Sequence, residues 1–410
     1  MKMYTNMTVE REAPSKFHDI RYEIRGPLQQ RAEEMERQGE KILHLNIGDP
    51  APFGFRAPAR LLRAYTEQLT GAEGYSASKG LLRARRAIDA YCRKKGMVPY
   101  SMDTIYTGNG VSELILMSMQ ALLENGDEML VPAPDYPLWT GAVRLAGGRA
   151  VHYICDEWAD WCPDLADMEK KITPRTRGIV LIHPNNPTGA LYPPAVLDQV
   201  GALARRHGLI LFADEIYDRL VLDGGVHTAV AAAVPDVPVA CYNGLSKSHL
   251  IPGFRCGWLC LCGDWSRQQA FLQGMDLLSS MRLCANVPAQ TVIPQALAAE
   301  EEMQALLAPG GRIHAQREAI CDALSKIPGI QFFRPRAGFY VFPRVDLRRY
   351  PAFDDRQFAA RLLQRERILL TPGTGFNWNR PDHFRIVFLP WSKQLRYGAE
   401  RIGAVLETFA

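Results

Sequence analysis

Two stretches decide the architecture: Gly178-Ile179-Val180-Leu181-Ile182-His183-Pro184-Asn185-Asn186 and Leu209-Ile210-Leu211-Phe212-Ala213-Asp214-Glu215. Each is an unbroken apolar run that ends in polar residues. A strand without polar alternation is covered on both faces, as strands are in a parallel sheet held between helices. Working outward, comparable runs lie at 104–107, 128–131, 149–153, 238–242 and 257–261. Helical periods separate several of them, among them 112–125 and 194–207. Such alternation predicts an α/β fold, a mainly parallel doubly wound sheet in a large domain. Past residue 305 the pattern changes to helix, short strands (338–342 and 384–388) and helix, which predicts a smaller α+β domain. The expected division is an N-terminal segment (1–60) that contributes to the small domain and covers the site, a large domain (61–304) and a small one (305–410).

The length of 410 residues suits two globular units. With 48 basic and 44 acidic residues the net charge is only +4, and basic runs such as Arg93-Lys94-Lys95 read as solvated helix faces. Nothing resembles a nucleic-acid recognition helix or stacking platform. The nine cysteines form no C-x-x-C pair. Cys256, Cys260 and Cys262 alternate along one run, which puts them on one buried face of a strand rather than around a metal. An odd cysteine count without a framework points to a reducing compartment. Met1 to Pro14 has no apolar core of a signal peptide, and no run reaches membrane-spanning length, so a cytoplasmic protein is expected.

In doubly wound sheets ligands bind beyond the carboxyl ends of the strands, and here that edge is polar throughout. Gly108-Asn109-Gly110-Val111-Ser112 opens an apolar helix, so its backbone N–H groups and the helix dipole favour a phosphate; the alternative is a plain helix start capped by Ser112. Asp214 ends its strand where a carboxylate can keep a pyridine nitrogen protonated, although acids are common at strand ends. Tyr217 follows three residues later and is otherwise a half-buried core tyrosine. His183-Pro184-Asn185-Asn186-Pro187 offers an amide donor on a rigid turn. Pro134-Asp135-Tyr136-Pro137 offers an aromatic ring to lie over a planar group. Lys247, in Asn243-Gly244-Leu245-Ser246-Lys247-Ser248, follows an apolar strand among small residues, with Arg255 eight positions on. A lysine so placed suits covalent attachment to an aldehyde beside a cationic phosphate clamp. Together these residues fit pyridoxal 5′-phosphate. Arg385, inside the apolar run Phe384-Arg385-Ile386-Val387, presents a planar fork matched to a carboxylate, or else forms a structural ion pair.

With these residues assembled, the chain resembles the class I aminotransferases of the fold-type I pyridoxal-phosphate enzymes, nearly end to end, and within them the bacterial glutamate–pyruvate (alanine) branch. The likeness is carried by Tyr22-Glu23-Ile24-Arg25-Gly26-Pro27, Leu45-Asn46-Ile47-Gly48-Asp49-Pro50, Gly74-Tyr75-Ser76-Ala77-Ser78-Lys79-Gly80, Pro132 to Trp139, Ser280-Met281-Arg282 and Asp382-His383-Phe384-Arg385. The resemblance implies that Lys247 carries the cofactor, that Asp214 pairs with the ring nitrogen, and that Asn186 and Tyr217 hold the phenolic oxygen under Tyr136. It gives Ser246, Arg255 and the backbone of Gly110, Val111 and Ser112 to the phosphate. Arg385, Gly48 and Asn186 fall to the substrate's α-carboxylate. It also implies a homodimer with shared sites, in which Tyr75 reaches the partner's phosphate. Tyr22 and Arg25 lie in a segment that folds over the site, and Arg25 is the candidate for glutamate's second carboxylate, with Arg282 as the weaker one.

The sequence departs from the family's usual pattern at Gly244, which leaves more to Ser246, at His183, at Ser248-His249-Leu250-Ile251-Pro252, and at Ala337-Gly338, which is expected to reshape the substrate pocket; none of these removes a catalytic group. The expected reaction is ping-pong transfer of an amino group between alanine/pyruvate and glutamate/2-oxoglutarate, with Lys247, Asp214 and Tyr217 as catalytic residues. Valine, aspartate or an aromatic amino acid as substrate, and a β-eliminating lyase, remain open on the same residues. A cofactor-sensing regulator needs a DNA-binding module for which the chain has no spare domain.

Overall fold

A computed structural model describes Phe17, Ile20 and residues 22–298 and 301–410 of the chain. The stretch Met1 to Pro14 lies outside the described residues. The central sheet has eight strands: β1 (Ile105–Asn109), β2 (Glu128–Ala133), β3 (Arg149–Asp156), β4 (Cys162–Pro163), β5 (Thr176–Ile182), β6 (Ile210–Asp214), β7 (Val239–Gly244) and β8 (Cys256–Cys262). Their spatial order is β1-β8-β7-β6-β5-β2-β3-β4. The run from β7 to β3 is parallel, while β8 is antiparallel to both neighbours and β4 to β3. The sheet is therefore mainly parallel, as the apolar runs imply.

Burial explains those runs. Leu130, Ile179, Leu181, Leu211, Ala213, Val239 and Cys241 enter one core layer, and Val131, Val180, Ile182, Ile210, Phe212, Ala240 and Tyr242 enter another. Successive side chains thus face opposite layers of helices, and both are dry. Cys256, Cys260 and Cys262 join Trp258 in the first layer, and Leu259 and Leu261 face the second.

Several boundaries differ from the sequence reading, most strand ends by one to three residues. The first strand starts at Ile105, because Met102–Thr104 forms a 3₁₀ turn closed by a Ser101 capping box. The helix after it is Val111–Leu122, one residue earlier at its start and three shorter at its end than the apolar period. Within the C-terminal runs at 338–342 and 384–388 only Tyr340–Val341 and Phe384–Val387 pair as strands, in one sheet with Thr371–Pro372.

A further core is built on the helices Arg312–Leu324, Asp355–Glu366 and Ser392–Leu406, and it includes Leu45 and Phe55. Leu43–His44 pairs in parallel with Ile368–Leu369, and the Val387 N–H donates to the Leu45 carbonyl at 2.9 Å. Helix Pro27–Arg37 buries Ala32 and Met35 against Leu363 and Leu369. Residues 43–48 are thereby fixed beside Arg385, facing the carboxyl edge of the large sheet.

Candidate active site

Several chain segments distant in sequence converge at that edge on a cavity of about 550 Å³. It is lined by Lys247, Asp214, Asn186, Tyr217, Tyr136, Ser246, Arg255, Val111, Ser112, Gly48 and Arg385, with Tyr22 and Arg25 from the N-terminal segment. The topology accounts for the convergence: β1, β2, β5, β6 and β7 point the same way, and β5 and β2 are neighbours although not consecutive, which opens a switch point between Asn186 and Tyr136.

At the cavity floor Asp214 lies in register with Ile182 and Tyr242 on the adjacent strands. It shares a face with Ile210 and Phe212, and on that face Trp139 is packed. The Trp139 indole Nε1–H donates to Asp214 Oδ2 at 3.2 Å, and the Ile216 N–H reaches Oδ1 at 3.4 Å. Burial pushes the Asp214 carboxyl up to about 6, against the pull of those two donors. A cation brought to this carboxylate regains the charge compensation that burial removed.

The phosphate-type cup is a matter of backbone. Helix Val111–Leu122 begins at Gly110, whose φ of 82° favours glycine, and no side chain caps it. Ser112 is therefore not the cap; it lies inside the first turn, and the leading N–H groups remain open to an anion. A Cβ at Gly110 would collide with the Arg255 guanidinium, and one at Gly257 would meet the Val111 nitrogen. Both positions need glycine for this close approach. Arg255 donates to the Pro252 carbonyl at 2.9 Å and to the Asn109 carbonyl at 3.3 Å, which aims its fork along the cup. Lys247, on the short helix Leu245–Ser248, donates from Nζ to the Gly48 carbonyl at 2.8 Å.

Opposite the lysine, Arg385 is buried between Tyr340 and Phe376, its guanidinium carbon 4.5 Å from each ring centre. Nη1 donates to Asn186 Oδ1 at 2.9 Å and Nη2 to the Asn46 carbonyl. Nε is buried without a hydrogen-bond partner, and burial draws the guanidinium below its ordinary range. An unsatisfied buried donor on a cation asks for an anionic acceptor from a ligand. Tyr217 and Tyr340 share a hydroxyl hydrogen bond of 2.7 Å, and Tyr22 and Tyr136 one of 2.8 Å across the cavity mouth.

Two sequence candidates lie elsewhere. Arg282 does not line the cavity: it pairs with Glu113 and donates to the carbonyls of Thr107 and Ser78. That bonding takes up its terminal nitrogens and removes it as a contact for a second carboxylate. Tyr75 is 81% exposed and does not line this chain's cavity. Trp139, Tyr340 and Asn46 belong to the site without a sequence signal of their own, although Trp139 and Asn46 fall inside the quoted family segments.

The residues fit a planar ring that carries a basic nitrogen at one end and a phosphate at the other. An open, glycine-shaped helix start, a buried carboxylate and a lysine face one cavity. The model for aminotransferase class I and II matches residues 40–402. Glutamate-pyruvate aminotransferase AlaA of Escherichia coli is 50% identical over 379 residues, 92% of this chain and 94% of that protein. Alanine aminotransferase of Mycobacterium tuberculosis is 48% identical over 396 residues, 96% of this chain and 92% of that protein. The crystal structure of an aminotransferase from Escherichia coli superposes with a TM-score of 0.95 at 47% identity, covering 97% of this chain and 99% of that one. The chain belongs to the class I and II aminotransferases.

Proposed function

We propose that this aminotransferase binds pyridoxal 5′-phosphate and exchanges amino groups between alanine/pyruvate and glutamate/2-oxoglutarate. The observation that carries the reading is the meeting of Lys247, Asp214 and Arg385 in one cavity. The names of the relatives at about half identity support the substrate pair.

When bound, the cofactor supplies an aldehyde and an electron-withdrawing ring able to accommodate the electron pair left at an amino acid's Cα. Asp214 holds the proton on the ring nitrogen, and its burial makes that ion pair strong. Tyr136 covers the ring, and Asn186 and Tyr217 donate to its phenolic oxygen. Ser246, Arg255 and the N–H groups of Val111 and Ser112, on the backbone that Gly110 turns into the helix, would receive the phosphate. Arg385 takes the substrate's α-carboxylate with Asn186 and the Gly48 backbone, which fixes the Cα–H bond beside Lys247. Lys247 would then act as the base at Cα and deliver the same proton to the carbon that bore the aldehyde.

Arg25 is the candidate for the second carboxylate of glutamate: it lines the cavity, and its guanidinium has no ion-pair partner among the described residues. Tyr75 supports a homodimer, as do the exposed apolar residues Leu277, Met281 and Leu283. The free state of all nine cysteines fits a cytoplasmic setting, and among the described residues no helix is long and apolar enough to cross a membrane.

Incubation with alanine and 2-oxoglutarate tests the proposal: pyruvate and glutamate should appear in equal amounts. A β-eliminating lyase would instead leave alanine unchanged and release ammonia and a 2-oxo acid from an amino acid that carries a leaving group on Cβ.

A further inference from the structure

The turn that forms the phosphate cup is restrained from behind. Asn109 donates twice to Glu113, from its backbone N–H to Oε2 and from its amide to Oε1, both at 2.8 Å. The Asn286 N–H donates to Asn109 Oδ1 at 2.8 Å. Such anchoring matters because the turn contains Gly108 and Gly110, which populate many backbone conformations when unrestrained. Yet it places a carboxylate in the first turn of the helix whose N-terminus faces the cup, where it adds negative charge near the expected phosphate.

Arg282 meets that cost. It pairs with Glu113 through Nη1, and Nη2 donates to the Thr107 carbonyl at 2.6 Å, within β1, and to the Ser78 carbonyl at 3.1 Å. The side chains of Arg282 and Glu113 are 13% and 25% exposed, so the pair is poorly screened by solvent. The Thr107 N–H also donates to the Lys79 carbonyl at 2.9 Å, and a Cβ at Gly80 would collide with Thr107, so residues 78–80 are seated against the turn. Tyr75 is three residues before Ser78. One guanidinium therefore ties the helix start, β1 and the Tyr75 segment together.

We propose that Arg282 and Glu113 are positioning residues for the cofactor phosphate: Glu113 fixes the turn, and Arg282 neutralises Glu113 so that the Arg255 charge is left for the phosphate. The inference rests on the reading of the Gly110–Ser112 turn as a phosphate cup. It explains why an arginine remote from the cavity is held by three polar partners. Neither side chain touches the cofactor; both act through the backbone they hold.

The test is affinity for the cofactor with and without its phosphate. Full-length protein, stripped of cofactor, is titrated with pyridoxal phosphate and with pyridoxal, using the absorbance of the lysine-bound form. Arg282→Gln should weaken pyridoxal phosphate binding by about tenfold or more, the scale of a lost charge-assisted contact. Pyridoxal affinity should stay within about twofold of wild type. Arg282→Lys should recover part of the loss, because it restores a positive charge beside Glu113 while the Asn109–Glu113 anchor stays intact. Equal weakening of both ligands, unchanged pyridoxal phosphate affinity in Arg282→Gln, or no recovery in Arg282→Lys would overturn the proposal. A wild-type protein that binds both ligands alike would instead remove the phosphate-cup reading beneath it.

Discussion

Arg385 of the C-terminal core donates to Asn186 Oδ1, 2.9 Å away, at the end of β5. This bond spans 199 residues of sequence and joins the two sides of the cavity at the place where a substrate carboxylate is expected. Two aromatic faces and the Asn46 carbonyl complete the surroundings of the guanidinium, so its plane is set before any ligand arrives. Preorganisation of this kind reduces the ordering cost of binding.

Arg385→Lys should therefore cost more than a charge-conserving change suggests. A lysine ammonium provides one point contact and cannot lie flat between Tyr340 and Phe376. The expected fall in kcat/KM is roughly 10- to 100-fold, the worth of one charge-assisted hydrogen bond. It should be equal for alanine and glutamate, because both present the α-carboxylate. Steady-state kinetics with each substrate checks it; a loss confined to one substrate speaks against this role.

Arg25→Ala should separate the two substrates. KM for glutamate and 2-oxoglutarate should rise by roughly tenfold or more, with alanine and pyruvate nearly unaffected. Arg25 gives up no ion pair among the described residues, so stability should be unchanged. Equal losses for both substrate pairs would sink the assignment.

Asp214→Asn should trade activity for stability. The folded-state carboxyl is raised to about 6, above its ordinary 3.8. Its stabilising contribution is complete below about 3.8 and is lost as pH rises through about 6, so at pH 8 the cofactor-free protein carries the full cost of a buried charge. Asparagine removes that cost, and the cofactor-free variant should gain on the order of 2–3 kcal/mol at pH 8. Amino transfer should drop by roughly 10²–10³-fold, because the ring nitrogen loses its counter-charge. Urea unfolding without cofactor and turnover with it measure the two effects; an unstabilised variant refutes the linkage.

His183→Asn should flatten the acid limb of the stability profile. His183 is stacked between Tyr192 and His227, with Nδ1 accepting the Tyr192 N–H at 3.2 Å and Nε2 donating to the Thr228 carbonyl at 3.2 Å. Burial holds its pKa down at about 3. With an unfolded value near 6.5, its contribution is complete above about 6.5 and is lost as pH falls toward about 3, at about 1.4 kcal/mol per pH unit. Between pH 7.5 and 5 the wild type should lose roughly 2 kcal/mol that the variant keeps. Identical pH dependence in the two proteins would contradict this.

Much of the architecture is legible in sequence because its signals are local. The unbroken runs at Ile179–Ile182 and Ile210–Ala213 must be strands with both faces covered, and the residues that end them must gather at one edge. Lys247, Asp214, Asn186 and Arg255 are found on that argument. The antiparallel setting of β8 is not legible, since a buried run looks the same in either direction. The partners of the site residues are hidden for a related reason: Trp139 to Asp214, Tyr340 to Tyr217 and Asn46 to Arg385 are separated by 75, 123 and 339 residues. Arg282 misleads because an arginine in a family segment resembles a ligand contact until Glu113 is seen beside it. The strand at Thr371–Pro372 is only two residues long, too short for a period to register, while the run at 338–342 reads longer than the Tyr340–Val341 pair it forms.

The central claim is that Lys247, Asp214 and Arg385 form a site for amino transfer from alanine and glutamate. The most direct measurement is the visible spectrum of the protein loaded with pyridoxal phosphate, followed after addition of one amino acid without a 2-oxo acid. Alanine and glutamate should each bleach the band of the lysine-bound cofactor, and pyruvate or 2-oxoglutarate respectively should restore it. A band that forms but responds to neither amino acid contradicts the substrate assignment, and a protein that forms no band contradicts the site itself.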